Sequence, residues 1–493
     1  MNFSNSTTDK TESLKDTKSL TNQWETIEWS QVEIEVNRLQ TRIAKATANG
    51  DRNKAKRLQY LLTHSFSAKA FAVRKVTTNK GKRTTGVDKK RWSTSASRMK
   101  AVLALTDKHY RAKPLKRVFI AKKGKRKKRP LGIPTMYDRA MQTLYALALE
   151  PIAETKADTV SFGFRRGRSA KDACEQIFCV LAKKCAPTWI LEGDIKGCFD
   201  NINHEWLHMN IPMDKRIMKQ FLKSGFIFEG ELFPTETGSP QGGAISSLYA
   251  NMTLDGLEKK IQDKYHRNSK GNIENHYRAK TKVNLVRYAD DFIITANSKE
   301  TAEELKIIVS EFLEVRGLLL SEEKTRITHI DDGFDFLGWT FRKFKGKLII
   351  KPSKSSIKSL IKKCSAIILK EGKASTQSDL ILRLNLVIRG WTNYHKHVVA
   401  SQVFSGVNNS LYLLLHLWTK HRHPNKGKQW RLNRYWHEKN GKPWVFMTDE
   451  YSLINIRRIH IVRHPKLKIS KTPFLDKEYF IKRKLRLHTL VAT

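Results

Sequence analysis

Two adjacent carboxylates, Asp290 and Asp291, lie between apolar runs in the segment Asn-Leu-Val-Arg-Tyr-Ala-Asp-Asp-Phe-Ile-Ile-Thr, residues 284–295. The pattern predicts a strand, a turn and a second strand, with the carboxylates at the tip. Like charges this close repel and raise each other's pKa, and a bound cation reverses that effect. We therefore interpret the pair as a divalent-metal site for phosphoryl or nucleotidyl transfer. The alternative is an ordinary hairpin turn, since Asp is a favoured turn residue.

A third carboxylate, Asp194, ends an apolar run that begins at Trp189. A turn and a helix are predicted after it, which places the carboxylate at a strand end, where α/β proteins commonly hold reactive groups. On a strand next to Asp290 it would share two Mg²⁺ ions, one lowering the pKa of an attacking 3′-hydroxyl and the other stabilising the leaving pyrophosphate. Mg²⁺ takes only one or two protein carboxylates together with phosphate oxygens and water. Asp200 is the weaker alternative, because Asn203 nearby favours a capping role.

Between these carboxylates lies a glycine-rich loop, Thr-Gly-Ser-Pro-Gln-Gly-Gly-Ala-Ile-Ser, at residues 237–246. Its adjacent glycines allow a backbone to approach a substrate closely, and a helix is predicted to begin directly after it. A glycine-rich loop alone is a common feature. The order of Asp194, this loop and then Asp290 with Asp291 is far more specific.

The charge of the chain indicates a polyanionic partner. Its 493 residues include 93 Lys and Arg against 47 Asp and Glu, a formal net charge of +46. Residues 341–493 alone hold 33 basic and 7 acidic residues. Self-repulsion on this scale contributes nothing to folding, so it indicates nucleic-acid binding. A basic run at 123–129 leads into Pro-Leu-Gly-Ile-Pro at 130–134, which favours a phosphate-contacting loop over a solvated tail.

A membrane surface, the competing polyanion, is not supported by the sequence. No apolar stretch approaches the roughly 18 residues needed to span a bilayer, and the longest, residues 411–418, is interrupted by His416. The polar first twenty residues contain acids and no Arg, unlike a secretory or organellar targeting signal. The five cysteines show no paired spacing, so neither a disulfide framework nor a zinc module is indicated, and a reducing compartment fits.

Apolar spacing divides the chain into segments of different character. Helices are predicted between about residues 25 and 72, and a polar loop follows at 77–88. Residues 131–339 alternate β-like and helical runs, which indicates a mixed α/β core. From residue 353 onward the chain is mainly helical and basic, with Trp and Tyr among Lys and Arg. Such aromatics suit stacking on bases, although ordinary helical core accounts for most of the Trp residues.

Taken in order, these motifs resemble those of group II intron-encoded reverse transcriptases. The palm motifs are matched by Asp-Ile-Lys-Gly-Cys-Phe-Asp-Asn-Ile at 194–202, Ser-Pro-Gln-Gly-Gly-Ala-Ile-Ser at 239–246 and Tyr-Ala-Asp-Asp-Phe at 288–292. Gly-Phe-Arg-Arg-Gly-Arg-Ser at 163–169 resembles a fingers motif, and Arg-Gly-Trp-Thr-Asn-Tyr-His at 389–395 is similar to the thumb, or maturase, domain. Two departures, Arg166 for the usual Pro and Cys198 for the usual aromatic, do not touch the chemistry.

The resemblance covers roughly residue 24 to the end and implies a right-hand polymerase of the α/β (α+β) class. It implies an RNA-binding N-terminal extension at 25–88 after a disordered leader at 1–24, then fingers and a palm with an antiparallel sheet at 89–345. An α-helical thumb or maturase domain at 346–436 and a basic, DNA-binding-like segment at 437–493 would follow. Many relatives carry a further zinc-dependent HNH nuclease with cysteine pairs. Since no cysteine follows Cys364, that domain is expected to be absent.

The resemblance also implies roles at the catalytic centre. Asp194 and Asp290 would be metal ligands for two Mg²⁺ ions, Asp291 a third carboxylate, and the carbonyl of Ile195 would complete one metal site. Lys324 is a candidate general acid for pyrophosphate, with a plain surface lysine as the alternative.

Roles in binding follow from the same motifs. Phe199 matches a steric gate whose ring would clash with a ribose 2′-hydroxyl and so select dNTPs. Gln241 and Gly242 would position the template and the incoming nucleotide, and Lys122 and Arg129 would hold its triphosphate. In the thumb motif the expected RNA-binding residues are Arg389, Trp391, Tyr394 and His395.

The implied activity is RNA-directed DNA synthesis by a protein that binds its host group II intron RNA, assists its splicing and copies it into DNA during intron mobility. Target DNA and dNTPs are the other expected partners, and the expected location is the bacterial cytoplasm or an organelle that encodes the protein. A splicing-only maturase with a decayed polymerase is one alternative, against which the intact Asp194, Asp290, Asp291 and Phe199 argue. A reverse transcriptase recruited to defence is another, against which the complete thumb motif argues.

Overall fold

The computed structural model describes residues 6–121, 128–240, 242–268, 270–272, 281–439, 441 and 444–492. Five helices come first: α1 (Ser6–Glu25), α2 (Trp29–Ala48), α3 (Arg52–His64), α4 (Phe66–Thr78) and α5 (Ser95–Ala104). Side chains of Asp51, Ser65 and Thr94 accept hydrogen bonds from backbone amides in the first turns of α3, α4 and α5. Such caps satisfy amides that have no partner within the helix, and they fix where each helix begins.

The leader predicted to be disordered, residues 1–24, differs in the structure from Ser6 onward, where helix α1 is present. The end of this helix packs against α5. Trp24 is buried, and its ring lies 5.0 Å from that of Trp29. The local sequence is polar and shows no helical periodicity, so this tertiary anchor decides the conformation.

The alternation of strands and helices predicted for residues 131–339 is present, and it extends over residues 115–352. The elements are β1 (Leu115–Ala121), β2 (Lys128–Ile133), α6 (Met136–Lys156), α7 (Ala170–Leu181), β3 (Trp189–Asp194), α8 (Cys198–Asn201), α9 (His204–Asn210), α10 (Lys215–Leu222), β4 (Phe226–Phe228), β5 (Glu231–Phe233), α11 (Ser246–Leu254), α12 (Leu257–Tyr265), β6 (Asn284–Tyr288), β7 (Asp291–Ala296), α13 (Lys299–Glu314), β8 (Arg326–His329), β9 (Phe334–Phe336), β10 (Trp339–Phe344) and β11 (Lys347–Pro352).

The central sheet has the strand order β6-β7-β3-β8, and every neighbouring pair in it is antiparallel. Its strands are nearly continuous apolar runs because α7 and α13 pack against it. Ile190, Leu191, Ile293 and Ile294 are fully buried. This sheet is the platform that holds the carboxylates.

Two further sheets are formed by the same region of the chain. The first has the order β2-β1-β4-β5, in which β1 pairs antiparallel with β2 and parallel with β4. The second, β11-β10-β9, is antiparallel throughout. Helix α6 joins these parts to the N-terminal helices, since it packs against α2, α3, α4 and α11.

The remaining chain is mainly helical. It contains α14 (Lys354–Ser365), a π-helical segment (Ala366–Glu371), α15 (Gln377–His395), α16 (Ser401–Arg422), α17 (Lys428–Tyr435), β12 (Trp436–His437), β13 (Val445–Phe446), a 3₁₀ turn (Ile456–Arg458) and α18 (Lys477–Ala492). Within the described part of the chain, no helix is both long and apolar enough to cross a membrane.

The basic segment after residue 437 returns to the α/β core. Asp172, in the first turn of α7, accepts a hydrogen bond from Nε2 of His464 at 2.9 Å and pairs with Arg483 of α18. All three side chains are buried. Arg168 also donates to the carbonyl of Ile469 at 2.8 Å. A buried ionic cluster between positions nearly 300 residues apart therefore docks the C-terminal segment onto α7.

Candidate active site

The predicted strand–turn–strand is present at residues 284–296. Strands β6 and β7 form a hairpin in which Tyr288 pairs with Asp291, leaving Ala289 and Asp290 as its two-residue loop. The backbone of Ala289 has φ +58°, in the left-handed region. The register of β3 against β7 sets Asp194 directly opposite Asp291. The structure therefore brings the three predicted carboxylates together at one end of the central sheet.

The electrostatics of this cluster call for a cation. Burial raises the pKa of Asp290, and the neighbouring Asp194 raises it further, while Arg129 and Lys324 oppose the shift. Burial also raises the pKa of Asp291 to about 6, with the carboxylates of Asp290 and Asp194 adding to the effect. Three carboxylates that mutually resist ionisation are stabilised as anions when positive charge is placed among them.

Lys324 partly supplies that charge. Its Nζ lies 2.5 Å from Oδ2 of Asp194, and it also lowers the pKa of both Asp290 and Asp291. The position of Lys324 is fixed by a turn in which its amide donates to the carbonyl of Ser321 at 3.1 Å, and Ser321 in turn donates to the Asp194 carbonyl at 2.8 Å. The ammonium group of Lys324 thus lies at a position where the carboxylate cluster binds positive charge.

The donor chemistry fits a hard divalent ion. Carboxylate and carbonyl oxygens are the ligands that Mg²⁺ prefers, and it needs few of them when phosphate and water complete its shell. In the residues that the structure describes, no group of three or more His, Cys, Asp or Glu side chains is arranged so that it could hold a metal ion by itself. The three carboxylates would therefore hold a cation only together with further ligands such as phosphate oxygens and water.

Ile195 follows Asp194 directly and is buried. Its neighbours hold the local backbone in place, because Ile195 bridges to Leu320 and the amide of Lys196 donates to the Leu319 carbonyl at 2.9 Å. The backbone predicted to complete a metal site is therefore rigid and adjacent to the carboxylates.

The glycine-rich loop is hydrogen-bonded to the segment that follows Asp194. The amide of Ser239 donates to the carbonyl of Phe199 at 2.6 Å, and that of Gly238 donates to the Ile202 carbonyl at 2.8 Å. Phe199 lies in α8 and is half-buried, with its ring centre 6.4 Å from that of Phe164. The loop and the predicted steric gate thus form one unit beside Asp194.

Gly242 lies in the same loop, with φ +111°. A Cβ there would come within 2.9 Å of the Gly132 carbonyl on β2, so the glycine permits close packing of the loop on that strand. Arg129 is on the same strand, and its charge reaches Asp290. Two other predicted residues, Lys122 and Gln241, lie outside the described residues.

The predicted RNA-binding residues of the thumb have a different environment from the one expected. His395 is 1% exposed, its Nε2 lies 3.0 Å from Oγ of Ser356, and burial lowers its pKa to about 4. The ring of Tyr394 stacks on Trp339 at 4.5 Å, and its hydroxyl donates to the Leu337 carbonyl at 2.8 Å. His395 therefore offers almost no surface for a direct RNA contact in this fold, and Tyr394 holds α15 against the sheet β11-β10-β9.

Trp391 also has a partner within the protein, since its Nε1 donates to Oγ of Ser356 at 3.1 Å. Its ring lies 4.7 Å from that of His395. Arg389 is exposed. The motif is mainly a packing motif, because aromatic side chains spaced along one helix face bury together against a neighbouring element.

The sequence did not single out a group of residues beneath the hairpin. Arg287, in the apolar strand β6, is fully buried and its Nη2 lies 2.5 Å from Oδ1 of Asp255. Its Nη1 donates to Oδ1 of Asn251 and to the carbonyl of Ala289, each at 3.3 Å. The available signal was an arginine within an otherwise apolar strand, since a buried charge requires a partner.

An antiparallel sheet that carries three carboxylates at one end, within a mixed α/β chain, fits the class of right-hand polymerases. Three protein-family models match the chain in agreement with this. One described as Reverse transcriptase (RNA-dependent DNA polymerase) matches residues 120–341. The N-terminal domain of reverse transcriptase matches residues 24–105, and the Group II intron, maturase-specific domain matches residues 357–436.

Individual relatives agree with these matches. The chain is 35% identical over 323 residues to the Group II intron-encoded protein LtrA of Lactococcus lactis subsp. cremoris, covering 54% of this chain and 53% of that protein. It is 30% identical over 338 residues to Protein YkfC of Escherichia coli (strain K12), covering 62% of this chain and 87% of that protein. It is also 27% identical to an uncharacterized 91 kDa protein in a cob intron of Schizosaccharomyces pombe, over 61% of this chain and 45% of that protein.

The chain belongs to the group II intron reverse transcriptase/maturase family. It spans about half the length of the Lactococcus relative. Membership in the reverse transcriptase family implies dependence on a divalent metal ion.

Proposed function

We propose that this protein is an RNA-directed DNA polymerase that also binds its host group II intron RNA, assists its splicing and copies it into DNA during intron mobility. The observation that carries the proposal is the register of β3 on β7, which sets Asp194 opposite Asp291 beside the Asp290 turn. The matches to a reverse transcriptase domain and a maturase-specific domain in one chain support the combination.

In this proposal Asp194, Asp290 and Asp291 hold two Mg²⁺ ions, and the carbonyl of Ile195 completes one of the two sites. When bound, the metal ions lower the pKa of the attacking 3′-hydroxyl and stabilise charge on the leaving pyrophosphate. Lys324, already within hydrogen-bond distance of Asp194, is positioned to give a proton to the departing pyrophosphate oxygen.

The surrounding residues bind and orient the substrates. Phe199 excludes a ribose 2′-hydroxyl and so selects dNTPs, and Gly242 lets the loop backbone approach the template and nucleotide. Arg129 neutralises phosphate charge near Asp290, a role that we also propose for Lys122, while Gln241 orients the nucleotide.

The RNA-binding part of the proposal rests on charge. Residues 341–493 carry 33 basic against 7 acidic residues. The exposed Arg389 on α15 is the thumb residue that we propose contacts intron RNA. The basic segment 437–493 contacts target DNA, and the protein acts in the bacterial cytoplasm or the organelle in which its intron is transcribed.

The test replaces Asp290 and Asp291 together with Asn. We expect dNTP incorporation on a primed RNA template to be lost, because the amides cannot supply the negative charge that the metal ions need. Intron RNA binding and splicing assistance should persist, since both residues lie within the catalytic cluster.

The matched control replaces Asp331 and Asp332 with Asn, because this pair occupies the turn between β8 and β9 on the same chain. Its polymerase activity should remain. Retained incorporation in the Asp290/Asp291 variant would refute the site, and simultaneous loss of splicing assistance would refute two separable functions. Splicing assistance by a wild-type protein that lacks incorporation would identify a splicing-only maturase.

A further inference from the structure

The left-handed turn that carries Asp290 is stabilised by a buried side chain, Arg287, that belongs to none of the motifs seen in the sequence. We propose that Arg287, held in place by Asp255, is a positioning residue that fixes the Ala289–Asp290 turn and thereby aligns the carboxylates. The proposal rests on the proposed polymerase function for its kinetic consequence, but its structural consequence is measurable without it.

The turn needs a stabilising contact because of its residue types. A two-residue hairpin loop with positive φ at its first position favours Gly there, since Gly has no Cβ penalty. Here the first position is Ala289, with φ +58°. For alanine this conformation is less favourable than extended backbone, so it persists only when a contact with another residue stabilises it.

Arg287 supplies that partner. Its Nη1 donates to the Ala289 carbonyl at 3.3 Å, two residues along the same hairpin. The backbone of Arg287 is fixed independently of its side chain, because Phe162 donates to its carbonyl at 2.9 Å and its own amide donates to Val160 at 3.0 Å. The backbone that carries the guanidinium is therefore held in place. When the hydrogen bond from Nη1 to the Ala289 carbonyl is lost, the turn is the part that changes conformation.

Asp255 and Asn251 orient the guanidinium. Oδ1 of Asp255 lies 2.5 Å from Nη2, and Oδ1 of Asn251 accepts from Nη1 at 3.3 Å. Asn251 also donates to the carbonyl of Gly163 at 2.8 Å. Gly163 in turn is packed so closely on the hairpin that a Cβ there would meet the Ala289 amide nitrogen at 2.4 Å.

The turn is thus framed from two sides by residues that share Asn251 as a link. A planar guanidinium serves this position because it donates in several directions at once, whereas a lysine ammonium offers one compact charge at the end of a flexible chain. Arg287→Lys retains a cation for Asp255 and removes the fork that reaches Ala289.

The experiment compares Arg287→Lys, Ala289→Gly and the double variant. Three quantities are measured: kcat and KM for primer extension, amide hydrogen exchange across residues 286–292, and the thermal midpoint. We expect Arg287→Lys to lower kcat about tenfold or more, since small misplacements of catalytic groups carry large kinetic effects. Exchange in the turn should rise, and KM for the primer–template should change little.

Ala289→Gly in the Arg287→Lys background is the decisive rescue. Glycine adopts the left-handed conformation without help, so the double variant should recover most of the lost kcat. A residue that served only to stabilise the core would show no recovery, because the glycine adds nothing to core packing.

The matched control is Arg165→Lys. Arg165 is also buried and pairs with Glu154 at 2.8 Å, and among the described residues its hydrogen bonds go to Glu154 and to the carbonyls of Asp158 and Ser161, not to the turn at 288–291. It should lower the thermal midpoint without raising exchange at residues 286–292 and without rescue by Ala289→Gly.

If amide hydrogen exchange at residues 286–292 is unchanged in Arg287→Lys, the proposal is overturned, regardless of the effect of the substitution on primer extension. A loss of kcat that Ala289→Gly fails to restore would also overturn it. If the wild-type chain extends no primer, the polymerase function fails, and the exchange comparison alone still decides whether Arg287 holds the turn.

Discussion

Gly163 lies in close contact with the hairpin that carries Asp290 and Asp291. The substitution Gly163→Ala therefore tests whether catalysis depends on the close packing of this hairpin. An added Cβ would lie 2.4 Å from the amide nitrogen of Ala289 and 2.9 Å from the carbonyl carbon of Tyr288, whereas ordinary contact begins near 3.4 Å. About 1 Å of separation must therefore be created. Both atoms belong to the backbone, so no flexible side chain can move aside.

The side that gives way is the hairpin turn. Gly163 is held by Asn251, and Phe162 next to it is bonded to the Arg287 backbone. A shift of about 1 Å at a catalytic group costs on the order of a hundredfold in rate. We expect Gly163→Ala to lower kcat in primer extension by one to two orders of magnitude. Overpacking should cost about 1–3 kcal/mol of stability.

The assay is steady-state primer extension on an RNA template, with intron RNA affinity measured in parallel. Affinity should be unchanged, because the clash is confined to the catalytic turn. Gly390→Ala is the matched control, since Gly390 lies in α15 with nothing within 4 Å of the added Cβ. It should be neutral or stabilise by about 0.5–1 kcal/mol through helix propensity. Activity of Gly163→Ala within twofold of wild type would refute the rigid contact.

Three further outcomes are expected. Since the pKa of Asp291 is raised to about 6, protons compete with the metal below that pH, and the Mg²⁺ concentration for half-maximal extension should rise about fourfold from pH 7.5 to 5.5; a pH-independent requirement would contradict this. The pKa of His395 is lowered to about 4 by burial, so the unfolded chain binds a proton that the folded chain does not between about pH 4 and 6.5. His395 alone should therefore lower stability by about 2 kcal/mol from pH 7 to 5 in denaturant titrations, and the total fall should be smaller by about that amount in His395→Gln. Tyr394→Phe removes the hydrogen bond to Leu337 while keeping the ring, and should cost about 1 kcal/mol in the same titrations with no change in kcat.

The parts of the candidate active site that depend on neighbouring residues can be predicted from the sequence. A hairpin with Asp290 and Asp291 at its tip follows from apolar runs on either side of a short polar turn, because strand and turn preferences act over a few residues. Asp194 at the end of an apolar run was found for the same reason. Each of these features depends on neighbours in the chain.

The thumb motif shows what a local sequence pattern leaves open. Aromatics among cations suggested RNA contact at residues 389–395, and periodicity alone does not distinguish a ring that faces RNA from one that faces another helix. The structure buries His395 and stacks Tyr394 on Trp339. The end of the predicted leader differs for a related reason: Trp24, on a helix that packs against α5, is buried beside Trp29 of α2.

Local sequence patterns suffice to identify the three carboxylates, to predict the elements that carry them and to indicate a polyanionic partner. The packed fold is needed to show that Asp194 faces Asp291, that Arg287 reaches the Ala289 carbonyl, and that Asp172 binds the C-terminal segment. The physical reason is that strand register and buried ion pairs join residues tens to hundreds of positions apart. Their partners are selected by packing and desolvation of the whole fold, not by the local preferences that a sequence displays.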